Sequence, residues 1–233
     1  MERNGAVDFF IFCVLLNCLV EKIINFKAFM SHQPPPTQGF TQLQITRENL
    51  GLLKPYDIDQ IHSWRTNSSN GVLSTWLFKD DKPYFPESNT NPRTEFFIRG
   101  YDYTGGVWRF EAEMYAGSNT TGVSVMQISG GVQRDMAFML QINDGYLTHY
   151  NDPVLPKRIY NQWISLNVVH NANERKVGLS VNGQEEQVFP DAGPGVHFFK
   201  FGVQALANSS PTMETRWRNI RLWRLRMELD SIL

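Results

Sequence analysis

The sequence is poor in cysteine, in long apolar runs and in excess charge of either sign. Only two of its 233 residues are cysteines, Cys13 and Cys18, and both lie in one apolar segment near the amino terminus. If that segment is removed, the mature chain has no thiol and no disulfide, so a packed core must supply its stability. The 22 basic and 23 acidic residues nearly balance, which gives no broad attraction to nucleic acid or anionic lipid.

The apolar segment, residues 9–20, is shorter than the roughly 20 residues that span a bilayer and has the length of a signal-peptide apolar region. We predict a signal peptide over residues 1–31, with an uncleaved anchor or a buried segment as alternatives, and no membrane span in the mature protein. The destination is then the secretory pathway, ending in the extracellular space (cell wall) or the vacuole. Asn-x-Ser/Thr triplets fit this route as glycosylation sites at Asn67, Asn119 and Asn208.

A proline-rich linker is predicted over residues 32–39, because three consecutive prolines lack amide donors and favour extended backbone. From Phe40 onward, short runs rich in β-branched and aromatic residues are separated by Gly, Asn, Asp and Pro, which is typical of antiparallel strands. Tight hairpins are predicted at 143–145 and 182–183, where Asn or Asp precedes Gly. The pattern predicts one all-β domain over 40–226, a sandwich or jelly roll, followed by a tail over 227–233.

The strand candidates that carry most of this prediction are residues 71–78, 93–100, 107–115, 122–129, 162–170 and 197–205. The carboxyl-terminal run 213–227 is ambiguous, since Met213, Trp217 and Ile220 have near-helical spacing while the run also reads as an arginine-rich strand. Its mixture of Arg and Trp favours a solvated face over a nucleic-acid surface, because the overall charge is balanced.

Alternation along a strand places polar residues on a common face, which we predict to bind carboxylates. Arg93, Glu95, Phe97 and Arg99 would share one face of their strand, Gln127 and Ser129 one face of another, and Lys200 and Gln204 one face of a third. If these strands are neighbours, Arg93, Glu95, Arg99, Gln127 and Lys200 line one surface, and their donors suit a polycarboxylate. A simple Arg93–Glu95 pair across the strand is the structural alternative.

Several long motifs carry a family resemblance over most of the mature chain. They are LGLLKPYDI (50–58), NPRTEFFIRGYDYTGGVWRFE (91–111), GVSVMQISG (122–130), YNQWISLNVVH (160–170), HFFKFGVQA (197–205) and ETRWRNI (214–220). The run from Phe40 to about Arg224 resembles the plant citrate-binding proteins and, more distantly, the alginate lyases. The resemblance implies a jelly roll of two curved antiparallel sheets with a cleft on the concave face.

The resemblance also implies residue roles. Arg93 and Gln127 match the positions with which the lyases neutralise a uronate carboxylate, and Lys200 matches a lysine of the same cleft. The positions where the lyase motifs have a proton-transferring His and Tyr are Ser129 and Gln204 here, and neither side chain exchanges protons readily near neutral pH. Catalytic residues of the family kind are therefore absent from these positions. Phe97 stands where another Arg is expected, which lowers the positive charge of the cleft.

These observations predict a non-catalytic, monomeric binding protein for a citrate-like organic acid or an acidic oligosaccharide, with no cofactor. One alternative is a lyase that cleaves uronate polymers by β-elimination with an atypical proton-transfer residue. Its candidates are Tyr101, Tyr103, Tyr115 and Tyr150. Another alternative is a concanavalin-like lectin module in which Phe97 or Trp108 stacks on sugars. The histidines His62, His149, His170 and His197 have no short metal-ligand spacing, so no metal site is predicted.

Overall fold

The computed structural model describes residues 39–58, 66–132 and 136–226, without the side chains of Thr66 and Asn67. The predicted signal peptide, most of the linker, His62, the tail 227–233 and the Asn67 side chain lie outside the described residues. The described chain consists of strands, turns and one 3-10 turn, Arg47–Asn49, and it contains no α-helix. No helix in these ranges has the length and apolarity needed to cross a bilayer.

Two antiparallel sheets make up the fold. The strands of the first sheet are Phe40–Leu43 (β1), Thr66–Ser69 (β3), Val72–Phe78 (β4), Val107–Ala116 (β6), Trp163–Asn171 (β11), Lys176–Val181 (β12), Gln187–Pro190 (β13) and Thr212–Leu225 (β15). The strands of the second sheet are Leu50–Leu53 (β2), Arg93–Ile98 (β5), Val123–Ser129 (β7), Met136–Asn143 (β8), Tyr146–His149 (β9), Asp152–Pro153 (β10) and Phe198–Ala205 (β14). The predicted all-β fold is confirmed.

The strand order brings distant parts of the chain together. The first sheet runs β13-β12-β11-β6-β15-β4-β3, with β1 also paired to β15, and the second runs β10-β9-β8-β7-β14-β5-β2. Aromatic side chains from both sheets meet between them: Phe110 of β6 stacks on Phe199 of β14 with ring centroids 5.7 Å apart, and Phe201 contacts Trp217 of β15 at 5.3 Å. These rings are buried, so the core lies between the sheets.

Both predicted turns are present, but the second hairpin is wider than predicted, because residues 182–186 connect β12 to β13. Asp144 and Gly145 join β8 to β9 with φ values of 49° and 84°, and Asn182 and Gly183 follow β12 with φ values of 54° and 69°. Two successive residues with positive φ are what a type I′ turn requires.

The ambiguous carboxyl-terminal run is a strand, β15, with an irregularity that explains its helix-like spacing. Met213, Thr215 and Trp217 alternate toward the core. The pairing with β6 then shifts register between Arg218 and Arg221, and Asn219 has a φ of 55°. A bulge changes the phase of the alternation, so the apolar residues on either side of it no longer keep a period of two.

Candidate functional site

The residues predicted to share a face lie on β5, β14 and β7, which are neighbours in the second sheet. Lys200 lies opposite Phe97 of β5 and opposite Gln127 of β7, and Gln204 lies opposite Arg93. Directly opposed side chains of paired strands point to the same face of a sheet. We use the name polar cluster for Arg93, Glu95, Gln127 and Lys200.

The polar cluster is buried and carries a small positive charge. Arg93 Nη1 lies 3.4 Å from Glu95 Oε2, and Lys200 Nζ lies 4.0 Å from the same oxygen. Glu95 and Gln127 are 0% exposed, Lys200 3% and Arg93 5%. Two cations against one carboxylate leave a formal charge of +1, and in a buried site this charge acts through a lower dielectric than it would in water.

Tyr84 contacts Arg93 of the cluster. The Arg93 guanidinium lies 5.1 Å from the centroid of the Tyr84 ring, in cation–π contact. Tyr84 belongs to the connection between β4 and β5, and nothing in its local sequence pointed to this role. The predicted surface is therefore largely shielded from solvent, with every member of the polar cluster at most 5% exposed.

Three polar atoms of the cluster have no hydrogen-bond partner among the described residues: Arg93 Nε, Glu95 Oε1 and Gln127 Oε1. The Gln127 amide nitrogen is already used, since it donates to Ser124 Oγ (2.8 Å) and to Gln204 Oε1 (2.7 Å). Buried polar atoms are rarely left unpaired, because each costs about 1–3 kcal/mol. One free donor and two free acceptors in one buried cluster point to a ligand that both accepts and donates hydrogen bonds.

Sequence reasoning missed an extension of this polar face across β8 and β9. Met139 lies opposite Gln127, and Gln141 lies opposite Thr148. Asn143 Nδ2 donates to Gln141 Oε1 (3.3 Å) and to Thr148 Oγ1 (3.0 Å). The alternation of Met139, Gln141 and Asn143 along β8 would have revealed these residues, had the pairing with β7 been known.

Arg99 lies apart from the polar cluster, whereas Phe97 lies opposite Lys200 on the same face of the sheet. Arg99 follows the last residue of β5, is exposed, and donates through Nε to the main-chain oxygen of Glu48 (2.7 Å). The predicted inclusion of Arg99 in the site is corrected, because the strand ends before it. The Phe97 ring packs edge-on against Phe198 and lies over Gly51, where a Cβ would come within 2.2 Å of the ring.

The two positions that lack the proton-transferring residues offer no substitute base. Ser129 Oγ donates only a weak contact to Met136 Sδ at 3.6 Å, and Gln204 is occupied by the amide of Gln127. Tyr101 donates to the main-chain oxygen of Gln44 (2.7 Å), which ties it to another part of the chain.

The other tyrosines considered for proton transfer lie away from the cluster. Tyr103 bonds to His170 in the core (2.8 Å), and Tyr115 of the first sheet donates to Asn161 Oδ1 (3.3 Å). Tyr150 follows β9, which is separated from β7 by β8. Trp108 is also unsuited to the sugar stacking that the lectin alternative requires, because it is buried and stacked on Tyr103 at 4.5 Å.

A separate buried group contains two histidines that the sequence spacing did not connect. His170 Nδ1 lies 2.8 Å from Tyr103 Oη, and its Nε2 lies 3.2 Å from Asp191 Oδ2. His197 packs edge-on against His170 and contacts the main-chain oxygen of Ser129 through Nδ1 (3.1 Å). Ligand atoms of His170, Asp191 and His197 lie within 4.8 Å of one another, which would allow them to hold a metal ion.

Hydrogen bonds between these residues are enough to explain why the two histidines and Asp191 lie together. Burial raises the pKa of Asp191, but hydrogen bonds from His170 and the Gly193 amide outweigh it and lower that pKa below its usual value. Burial and the neighbouring His170 lower the pKa of His197. A neutral His197 must donate from Nδ1 to the Ser129 carbonyl. The group is therefore a buried hydrogen-bonded network that joins β11 to the segment before β14.

Glu186 is an unusual carboxyl group in the connection between β12 and β13. Its Oε1 would lie 2.4 Å from a Cβ placed on Gly178, and its Oε2 is buried without a hydrogen-bond partner in the described chain. Burial raises the pKa of Glu186 to about 7, although the charge of Arg109 opposes the shift. The ionised form is thus disfavoured in the folded state.

Replacing Glu186 with Gln is expected to stabilise the protein above pH 7. The pKa of Glu186 in the folded state is raised above the unfolded value of 4.5. Between about pH 4.5 and 7 the folded state therefore binds more protons than the unfolded state. The free energy of unfolding falls as pH rises through this window. Partial exposure limits the gain from Glu186→Gln to about 1–2 kcal/mol at pH 8. Urea unfolding at pH 5 and pH 8 measures it. An equal gain at both pH values would contradict the shifted pKa.

The fold and site together describe a two-sheet β-sandwich with a buried cluster suited to carboxylates. An alginate lyase family model matches residues 43–223, and the chain belongs to this family. The resemblance to plant citrate-binding proteins is also confirmed. A citrate-binding protein from Hevea brasiliensis is 38% identical over 199 residues, covering 84% of this chain and 82% of that protein.

Solved structures share the fold. An alginate lyase of polysaccharide lyase family 7 superposes with a TM-score of 0.59 at 16% identity, covering 75% of this chain and 93% of its own. An alginate lyase from Pseudomonas aeruginosa gives a TM-score of 0.56 at 14% identity, covering 76% of this chain and 98% of its own. The predicted jelly-roll sandwich is confirmed. Identities this low support the architecture alone.

Proposed function

We propose that the protein is a non-catalytic binding protein for a citrate-like hydroxy acid, which it holds in the polar cluster. The observation that carries this proposal is the set of unpaired buried atoms, Arg93 Nε, Glu95 Oε1 and Gln127 Oε1. A carboxylate of the ligand would accept from Arg93 and approach Lys200, while its hydroxyl would donate to Glu95 or Gln127. The similarity to a protein named citrate-binding supports the same ligand class.

Burial of the cluster favours a small acid over an acidic polysaccharide. Every member is at most 5% exposed, which leaves little open surface at these atoms for a polymer chain to lie across. A β-elimination mechanism would also need a base and an acid, and Ser129 and Gln204 supply neither. The family relation thus supports the lyase alternative as ancestry, while the site chemistry favours binding.

The proposal includes a route through the secretory pathway to the extracellular space or the vacuole. The apolar segment at residues 9–20 supports this route. The Asn-x-Ser/Thr triplets at Asn119 and Asn208 support it as well, because both Asn side chains are exposed. Such triplets are usable only where the Asn lies on the surface.

Calorimetric titration with citrate and with propane-1,2,3-tricarboxylate tests the ligand class. The second compound keeps three carboxylates but lacks the hydroxyl, so it leaves a buried acceptor unpaired. Citrate is expected to bind about tenfold more tightly, because one unpaired buried acceptor costs about 1–3 kcal/mol. Equal affinities would refute the role of Glu95 and Gln127 as acceptors. Release of unsaturated product from uronate polymers by the same sample would refute the non-catalytic assignment.

A further inference from the structure

A groove of about 670 Å³ crosses the outer face of the first sheet, apart from the polar cluster. Its lining includes Trp76, Trp163, Glu214, Arg216 and Asn119. Trp76 of β4 lies opposite Glu214 of β15. The Thr75 and Thr215 side chains beside them are buried and bond to each other at 3.0 Å between the sheets. Alternation therefore sends Trp76, Glu214 and Arg216 outward, away from the core.

The groove combines aromatic faces with paired charges. One row of cross-strand neighbours runs from Ser74 through Arg216 and Tyr115 to Trp163. Arg216 Nε donates to Glu214 Oε1 at 2.6 Å, and both side chains remain substantially exposed. Trp76 and Trp163 are partly exposed. An indole packs well against the C–H face of a pyranose ring, while carboxylate and guanidinium groups bond its hydroxyls. This is the chemistry of saccharide recognition.

Asn119, which lines this groove, is a potential attachment point for such a saccharide. Asn119 is exposed on a turn closed by a hydrogen bond from Thr120 N to Gly117 O (3.1 Å), and Asn119-Thr120-Thr121 is an Asn-x-Thr triplet. Thr120 is buried and fixes the turn to β15, because its Oγ1 donates to Glu214 O and accepts from Glu214 N, both at 3.0 Å. A glycan on Asn119 would therefore begin inside the groove.

We propose that Asn119 carries an N-linked glycan whose first N-acetylglucosamine residues lie in this groove against Trp76, with Glu214 and Arg216 bonding their polar groups. Covalent attachment keeps the sugar at a high effective concentration, so a contact too weak to retain a free sugar stays occupied. The proposal rests on the secretory route of the proposed function and is independent of citrate binding. The proposal also predicts different behaviour for the glycosylation sites Asn119 and Asn208, because Asn208 does not line the groove.

The test uses the full chain, with its own amino terminus, produced in eukaryotic cells. Peptide mass spectrometry is expected to find a glycan on Asn119. Asn119→Gln is expected to lower the unfolding temperature by about 2–4 °C, the shift typical of a modest interaction in a chain of this size. Asn208→Gln is the matched control and should leave it unchanged. In a Trp76→Ala background, Asn119→Gln should have no further effect.

A second readout needs no substitution. The acetyl methyl protons of the first N-acetylglucosamine residues are expected to shift upfield in the NMR spectrum, because they lie over an indole ring. A glycan on Asn119 with unshifted methyl signals and the same unfolding temperature as the Asn119→Gln protein would overturn the groove assignment. Glycans on Asn208 but none on Asn119 would overturn it as well. A chain without any glycan would overturn the proposal for Asn119, and citrate titration of the same sample would still report on the polar cluster.

Discussion

Replacing Arg93 with Ala is expected to weaken citrate binding by about 30- to 100-fold in calorimetric titration. Arg93 is the only guanidinium of the polar cluster, and its Nε is buried without a partner among the described residues. Charge-assisted hydrogen bonds contribute about 1.5–3 kcal/mol each. The substitution also reduces the formal charge of the cluster from +1 to zero, since only Lys200 and Glu95 remain charged.

Arg99→Ala is the matched control for this prediction. Both arginines belong to the same seven-residue stretch, but Arg99 is exposed and bonded to the main-chain oxygen of Glu48. Its removal should leave citrate affinity within about twofold. Arg93→Lys is the second variant, because it keeps the charge that balances Glu95 and loses the forked donors. We expect it to fold and to bind about tenfold more weakly. Equal losses in Arg93→Ala and Arg99→Ala would refute the site.

The sequence alone predicted most of the strands, because their inward positions are apolar and their turns carry Asn, Asp and Gly. Alternation also assigned Arg93, Gln127 and Lys200 each to one face of its own strand, but that these faces form one surface depends on the pairing of β5, β14 and β7, which local sequence does not contain. It failed at Arg99 because alternation holds only while the strand continues, and β5 ends at Ile98. The end of a strand depends on its neighbours, and here β2 pairs with β5 only as far as Ile98.

Burial of the polar cluster could not be predicted from local sequence. One of its contacts comes from Tyr84, which belongs to a connection with no regular structure and lies against the Arg93 guanidinium. The association of His170 with His197 was hidden for a related reason. It arises where Tyr103 pairs with His197 outside the main strands, and this isolated bridge brings the two histidines together in the core. Long-range contacts of this kind leave no periodic signal in the chain.

Replacing Gly202 with Ala is expected to lower the free energy of unfolding, measured with urea, by about 3–5 kcal/mol. This is the largest loss of stability among the substitutions predicted for this protein. Gly202 lies opposite Glu95 and has a φ of 139°, which side chains rarely adopt. A Cβ there would stand 2.4 Å from the main-chain oxygen of Thr94 and 2.8 Å from the Cα of Glu95. Both atoms belong to the backbone, so β5 and β14 would have to separate at the polar cluster.

Gly183→Ala separates the two contributions to this cost. Gly183 also has a positive φ, 69°, but a Cβ added there meets nothing within 4 Å. It should lose only about 1 kcal/mol, which is the conformational contribution alone. A loss at Gly202 no greater than that at Gly183 would mean that β14 can move away from β5 without penalty. The positions of Lys200 and Gln204 relative to Arg93 would then not be fixed by this pairing, and the geometry assigned to the citrate site would fail with it.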